Sequence, residues 1–235
     1  MLTKSELNNK LYKCELFKGM SEQFMLHLEQ KIEFECLPRY SVLYHCKEPA
    51  NNVYILLEGL VKISNYCNED PSREVIKSLQ QPYNMFGTEG LLGSTQRHDC
   101  AQSMNFESTL ARLSTFDFQE LLKTYPLFRL RFLEIIGSRI QKAEKRLESL
   151  VFKDARARLV DFLKECADNG GWKVGYEMLV KHCLTQQDIA NIIGTATESA
   201  IRLLSDFKKK EIILLKGKKI TLLNMQLLHK IAQGF

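Results

Sequence analysis

Apolar and polar positions along this chain of 235 residues follow two periods, and the switches between them outline its elements. Residues 1–30 read as helical, with Ser21 as an N-cap before the apolar face of Phe24, Met25 and Leu28. From about Ile32 to Phe116 the pattern shortens into β-rich runs between turn signals. Val53-Tyr-Ile-Leu-Leu-Glu-Gly-Leu-Val-Lys-Ile63 is the clearest, two runs broken at Glu58-Gly59. Further turn signals fall at Lys47-Glu-Pro49, Asn68-Glu-Asp-Pro71, Gln81-Pro82 and Leu92-Gly-Ser94. Many short strands at this spacing predict a β-barrel or roll.

After Pro126 the period becomes helical and stays so to about Leu150. Leu133, Ile136, Ile140, Ala143, Leu147 and Leu150 step alternately by three and four, which is an a/d seam suited to a two-stranded coiled coil and so to a homodimer. A helix buried on its own domain would carry a similar stripe. Phe128, Phe132 and Ile135 lie off the seam and can pack on the roll. A new amphipathic helix (Leu159, Phe162, Leu163, Cys166) begins after Phe152-Lys153-Asp154 and ends at Asn169-Gly-Gly171.

The stretch Leu184 to Phe207 carries the sharpest signal. Thr185 and Asp188 form a capping-box pattern, Ile189, Ala190 and Ile193 share a face, and Gly194 supplies a corner. Ala200, Leu203, Leu204 and Phe207 then mark the buried side of a second helix, running from roughly Thr195 to Phe207, with a run of lysines directly after it. Its other side shows Thr197, Glu198, Ser199 and Arg202, short hydrogen-bonding groups and one guanidinium that suit base edges and phosphates. That is a helix-turn-helix pattern. Ile212 to Leu215 and Ile220 to Leu223 flank a basic tip holding Lys216 and Lys218, so a hairpin wing follows, its lysines placed for phosphates; a solvated turn would carry lysines too. Double-stranded DNA is the expected partner, with Gln186, Gln187, Thr195, Thr197, Glu198, Ser199, Arg202, Lys216 and Lys218 as the candidate contacts.

Charge strengthens this reading. Of 33 basic and 28 acidic residues, 19 and 19 lie in residues 1–150, and 14 and 9 in residues 151–235, so the formal excess of +5 falls on the part holding the helix-turn-helix. There is no apolar run near 18 residues and no signal-peptide pattern, so the expected location is the cytoplasm, with no membrane partner. The seven cysteines (14, 36, 46, 67, 100, 166, 183) are scattered without a CxxC pair, which predicts reduced thiols rather than a disulfide framework or zinc site. No Ser/His/Asp set, phosphate-binding loop, HExxH or paired-carboxylate pattern points to an enzyme. No cofactor or metal is expected.

In this order of roll, seam, helix-turn-helix and wing, the chain resembles the CRP/FNR family of bacterial transcription regulators along nearly its whole length. Tyr40 to Lys62 looks like the family's first strands, Met85-Phe-Gly-Thr-Glu-Gly-Leu-Leu92 like its phosphate-cassette entry, and Leu184 to Ile213 like its reader domain. The resemblance implies an α+β fold: an N-terminal double-stranded β-helix (jelly-roll-like) sensor domain over residues 1–125, a long dimerisation helix over 126–151, and a C-terminal winged helix-turn-helix over 152–235. It implies a homodimer on a palindromic site, RNA polymerase as a further partner of an activator, and a small-molecule effector. Glu198 and Arg202 match the family's base-reading glutamate and neighbouring arginine, and Ser199 a small hydroxyl beside them.

The departures bear on the effector. Thr88 stands where cyclic-nucleotide binders of the family carry a glutamate, with Glu89 one residue late, and their Arg-Ser pair falls on Asp99-Cys100, where an aspartate repels phosphate. Arg97 is close enough for an alignment gap to restore it. The candidate pocket is Phe86, Gly87, Thr88, Glu89, Arg97, Asp99 and Cys100, and its ligand is expected not to be cAMP. Cys14 and Cys36 lack the close partners of an iron–sulfur site; His27, His45 and His98 are available to haem; Cys100, beside His98 and Asp99, is either a redox-sensitive thiol or an inert, half-buried one. Tyr40, Lys47 and Tyr83 replace turn glycines of the family. Thr197 replaces an arginine, and Ala196 a capping Ser/Thr, with Thr195 and Glu198 offering a capping box one residue earlier. A rival reading keeps a nucleotide-binding sensor module but gives its winged helix protein contacts instead of DNA.

Overall fold

The computed structural model describes residues 4–67, 73–104, 107–168, 171–174, 177–181, 184–216, 219–223 and 228. Contacts divide the chain into two compact units, Met1–Lys142 and Ala143–Phe235, within the long helix.

The first unit opens with helices α1 (Lys4–Leu11) and α2 (Glu22–Lys31). Ser21 caps α2 as expected, its hydroxyl accepting the Phe24 N–H. Strands β1 (Glu33–Leu37), β2 (Val42–Tyr44), β3 (Asn52–Glu58), β4 (Val61–Tyr66), β5 (Glu74–Gln80), β6 (Met85–Phe86), β7 (Cys100–Ser103) and β8 (Ser108–Ser114) follow. They form two antiparallel sheets, ordered β1-β8-β3-β6 and β2-β7-β4-β5. The turn signal at 68–71 lies outside the described residues.

β3 shows why the apolar run at 53–57 is continuous. Val53, Ile55 and Leu57 enter a core shared with the helices, while Tyr54 and Leu56 enter a second core with Leu37, Tyr44, Val61, Ile63, Phe86, Ala101 and Leu110. Successive strand residues face opposite sides, so a strand buried on both faces has no polar alternation. Tyr40, Lys47 and Tyr83 hold φ of 62°, 72° and 73°, the left-handed region that glycine occupies without strain.

Helix α3 (Thr115–Thr124) completes the unit; no helix was expected over these residues. Ser114 caps it by accepting the Asp117 N–H at 3.0 Å, and it stops before a proline, which disfavours helical backbone in the residue ahead of it. Helix α4 (Pro126–Phe152) starts on that proline, where a missing N–H costs nothing. Phe128 and Phe132 are buried as expected, and Phe128 lies with its ring centroid 5.0 Å from both Phe24 and Phe118. Truncating Phe128 removes about 3–5 kcal/mol.

The second unit holds α5 (Ala155–Asp168), β9 (Gly171–Val174), β10 (Glu177–Lys181), α6 (Gln186–Ile193), α7 (Thr197–Lys209), β11 (Ile213–Lys216) and β12 (Lys219–Leu222). Leu159, Leu163, Ile189, Ala190, Ile193, Ala200, Leu204 and Phe207 are buried. The wing hairpin is present, with Ile213 opposite Leu222 and Lys216 opposite Lys219. It continues into β10 and β9, strands that the short segment after Gly171 did not announce. Among the described residues no helix is long and apolar enough to cross a membrane.

Candidate nucleic-acid interface and effector pocket

The helix-turn-helix is assembled from local bonds. The Thr185 hydroxyl accepts the Asp188 N–H at 3.1 Å, and the Asp188 carboxylate accepts the Thr185 N–H at 2.8 Å, forming the predicted capping box of α6. Gly194 ends α6 with φ 66°, the left-handed region that favours glycine, and a Cβ there would sit 2.9 Å from Leu150 Cδ2, a side-chain end that can swing aside.

The start of α7 differs from expectation. Its N-cap is Ala196, and no side chain caps it; the box expected from Thr195 and Glu198 does not form. Thr195 belongs to the turn, its N–H bonded to Ala190 O, and the helix runs from Thr197 to Lys209. First-turn N–H groups are thereby left without a side-chain acceptor, an arrangement that suits phosphate.

Ala200, Leu204 and Phe207 hold α7 against its unit, leaving Glu198, Ile201, Arg202, Ser205, Lys208 and Lys209 exposed. Their spacing puts them on one stripe. Thr197 donates to Gln187 Oε1 at 2.5 Å and Gln187 donates to Asn191 Oδ1 at 2.9 Å, so two expected contact residues are joined to each other. Gln186 is exposed, while Ser199 and Thr195 are half-buried. Arg156 bonds Asp206 at 2.7 Å and lies over the Phe207 ring, fixing the helix from behind. Lys216 ends β11, and Lys218 lies outside the described residues. Ile201, Ser205, Lys208 and Lys209 were not anticipated as surface contacts. The lysine run is plain in the sequence, but only a helix reaching Lys209 aligns Lys208 and Lys209 with Arg202.

The seam divides. Leu133, Ile140, Ala143, Leu147 and Leu150 are exposed, whereas Ile136 packs partly on the helical core of the first unit.

In the roll, Phe86, Gly87, Arg97 and Asp99 gather around Tyr44 and Tyr54, Glu89 joins them through Arg97, and Thr88 is buried. Arg97 is 2% exposed. Its Nη1 donates to Gly87 O at 2.8 Å and Glu89 Oε2 at 2.9 Å, and its Nη2 to Asn52 O at 2.5 Å. The guanidinium lies 4.3 Å above the Tyr44 ring, which stacks on Tyr54, which stacks on Phe86. Asp99 accepts from Tyr44 Oη at 3.4 Å and Lys77 Nζ at 3.3 Å; burial and then repulsion by Glu89 push its carboxyl above the usual aspartate value. Cys100 Sγ accepts the Cys46 N–H at 3.3 Å. Arg139, from α4, donates to Met85 O, and burial lowers its pKa. His27 and His98 hydrogen-bond Tyr125 Oη and Ser94 Oγ respectively. Among the described residues no group of three or more His, Cys, Asp and Glu could hold a metal ion.

The family model described as a cyclic nucleotide-binding domain matches residues 34–125, and that of a Crp-like helix-turn-helix domain matches residues 157–231. The chain is similar to the CRP-like cAMP-activated global transcriptional regulator of Mycobacterium tuberculosis, 24% identical over 223 residues covering 95% of this chain and 98% of that protein. It is similar to the global nitrogen regulator of a Nostoc species, 28% identical over 188 residues covering 80% of this chain and 83% of that protein. Among solved structures it is similar to FixK2 from Bradyrhizobium japonicum, with TM-score 0.74 and 20% identity over 85% of this chain and 96% of that one, a likeness of fold.

Proposed function

The chain belongs to the CRP/FNR family of transcription regulators and is a DNA-binding regulator of that type, and from this premise we propose that it works in the cytoplasm as a homodimer on a palindromic duplex site. The observation that carries this reading is the exposed stripe Glu198, Ile201, Arg202, Ser205, Lys208 and Lys209 on α7. Placed in a major groove, Glu198 and Arg202 meet base edges while Lys208, Lys209 and the wing lysines Lys216 and Lys218 meet phosphates. Gln186, Gln187, Thr195, Thr197 and Ser199 line the approach. The exposed leucines and isoleucine of α4 supply the two-fold contact, setting the recognition helices about 34 Å apart on successive turns of DNA. As an activator it would also meet RNA polymerase.

The effector is a small molecule other than cAMP. The Mycobacterium relative is named as cAMP-activated, but Arg97, the one arginine buried in this roll among the described residues, is bonded to Glu89 and two carbonyls, with Asp99 nearby. A gel shift against palindromes selected from random duplex tests the DNA reading. Binding should weaken steeply with salt through counterion release. Protein that selects no duplex would favour the rival, a winged helix that meets protein.

A further inference from the structure

The carbonyl end of α6 is held from outside the helix-turn-helix. Helix ends leave their last carbonyls without intrahelical donors, and those oxygens carry the negative end of the helix dipole. Here three successive carbonyls are taken by two arginines. Arg146 Nη2, from α4, donates to Ile192 O at 3.0 Å. Arg158, from α5, donates through Nε to Ile193 O at 2.6 Å and through Nη2 to Gly194 O at 3.1 Å. Its remaining Nη1 donates at 2.6 Å to Lys153 O, in the link between α4 and α5. Leu150, one helical turn beyond Arg146, meets the turn itself, 2.9 Å from where a Cβ of Gly194 would lie.

We propose that Arg146 and Arg158 are positioning residues for DNA recognition: together with Leu150 they lock the α6–α7 corner to the last turns of α4, within the second unit, so the attitude of the recognition helix is fixed relative to that helix end. This rests on the DNA-binding reading above. Both arginines bond the carbonyl end of α6, so both act through the corner. Guanidinium geometry matters here, because one planar fork serves three carbonyls, which an ammonium cannot reproduce with the same directions. Arg146 is half-buried, and burial lowers its pKa. A rigid corner gives a two-fold protein one preferred spacing between half-sites; a loose corner tolerates several.

The test compares full-length wild type with Arg146→Met, Arg158→Met and Arg158→Lys on duplexes carrying the wild-type-selected half-sites at a series of spacings. The Met variants should lose about ten-fold of the preference for the best spacing, the equivalent of one charge-assisted hydrogen bond, with Arg158→Lys intermediate. Amide hydrogen exchange at Thr195 and in the first turn of α7, read without DNA, should quicken in the same order. Lower thermal stability with an unchanged spacing profile and unchanged relative exchange would reduce the arginines to structural props and overturn the proposal. Should wild type select no palindrome, the DNA reading fails on its own, and the exchange measurement still judges the clamp: unaltered exchange in both Met variants overturns it.

Discussion

Removing Glu89 strands a buried charge. Arg97 has a side chain 1% exposed and Glu89 one 17% exposed, with 2.9 Å between Nη1 and Oε2. Breaking a buried ion pair from one side costs about 3–5 kcal/mol, because the remaining charge loses its partner without regaining water. Two backbone carbonyls and the Tyr44 ring still face Arg97, and Glu89 keeps some solvent, so Glu89→Ala belongs at the lower end, about 3 kcal/mol. For a unit of this size that lowers the midpoint of thermal unfolding by about 10 °C. The double variant Arg97→Met/Glu89→Leu removes both charges and should return to within about 1 kcal/mol of wild type or exceed it. Circular dichroism melts of the full chain, with urea titrations to give free energies, supply both numbers. A Glu89→Ala loss below about 1 kcal/mol would refute the claim that this pair is desolvated and neutralises Arg97. The same result would reopen Arg97 to an anionic ligand.

Four further outcomes are expected. Arg202→Ala should weaken binding to the selected palindrome by about 1–3 kcal/mol in a fluorescence titration while leaving the melt unchanged; equal affinity would remove Arg202 from the contact set. Leu147→Glu places a charge on a seam position already exposed, so light scattering should report a monomer with an unchanged melting curve, and a persistent dimer would move the interface elsewhere. Lys47→Gly relieves a left-handed residue at φ 72° while adding chain entropy to the unfolded state, for a net gain of about 1 kcal/mol or less; a loss would show that the lysine side chain matters more than its backbone. Asp99 has its folded pKa raised by burial and Glu89, so the folded state holds more protons there and stability falls as pH climbs from the ordinary aspartate value through the raised one. Asp99→Asn should flatten that part of the stability–pH curve, and an unchanged curve would mean the carboxyl is solvated.

How much was legible depended on how local the cause is. The capping box at Thr185–Asp188 and the cap at Ser21 were readable because donor and acceptor lie within four residues. The Thr195–Glu198 box obeyed the same local rule and still failed. The Thr195 N–H is drawn back to Ala190 O, which places that residue in the turn rather than at the cap. Helix α3 was missed because its signal, one capping serine and a following proline, was hidden beneath the strand pattern that precedes it. Ile136 fits the heptad as well as Leu133, yet only the folded unit shows that it packs, like Ile135, against the helical core.

By itself the sequence determined the order of roll, long helix and winged helix-turn-helix, since each follows from residue periodicity and short-range turn chemistry. It also placed Glu198 and Arg202 on the reader's exposed side, because side chains three and four apart on a helix share a side. What only the tertiary structure decided is where long-range donors ended up. Arg97 sits inside the roll with Glu89 and Asn52 O, and Arg146 and Arg158 sit on the corner of the helix-turn-helix. An arginine in a sequence advertises charge but not destination. Its long, flexible arm binds whichever carbonyls or carboxylates folding leaves unpaired within reach, and those are known only once distant segments have met.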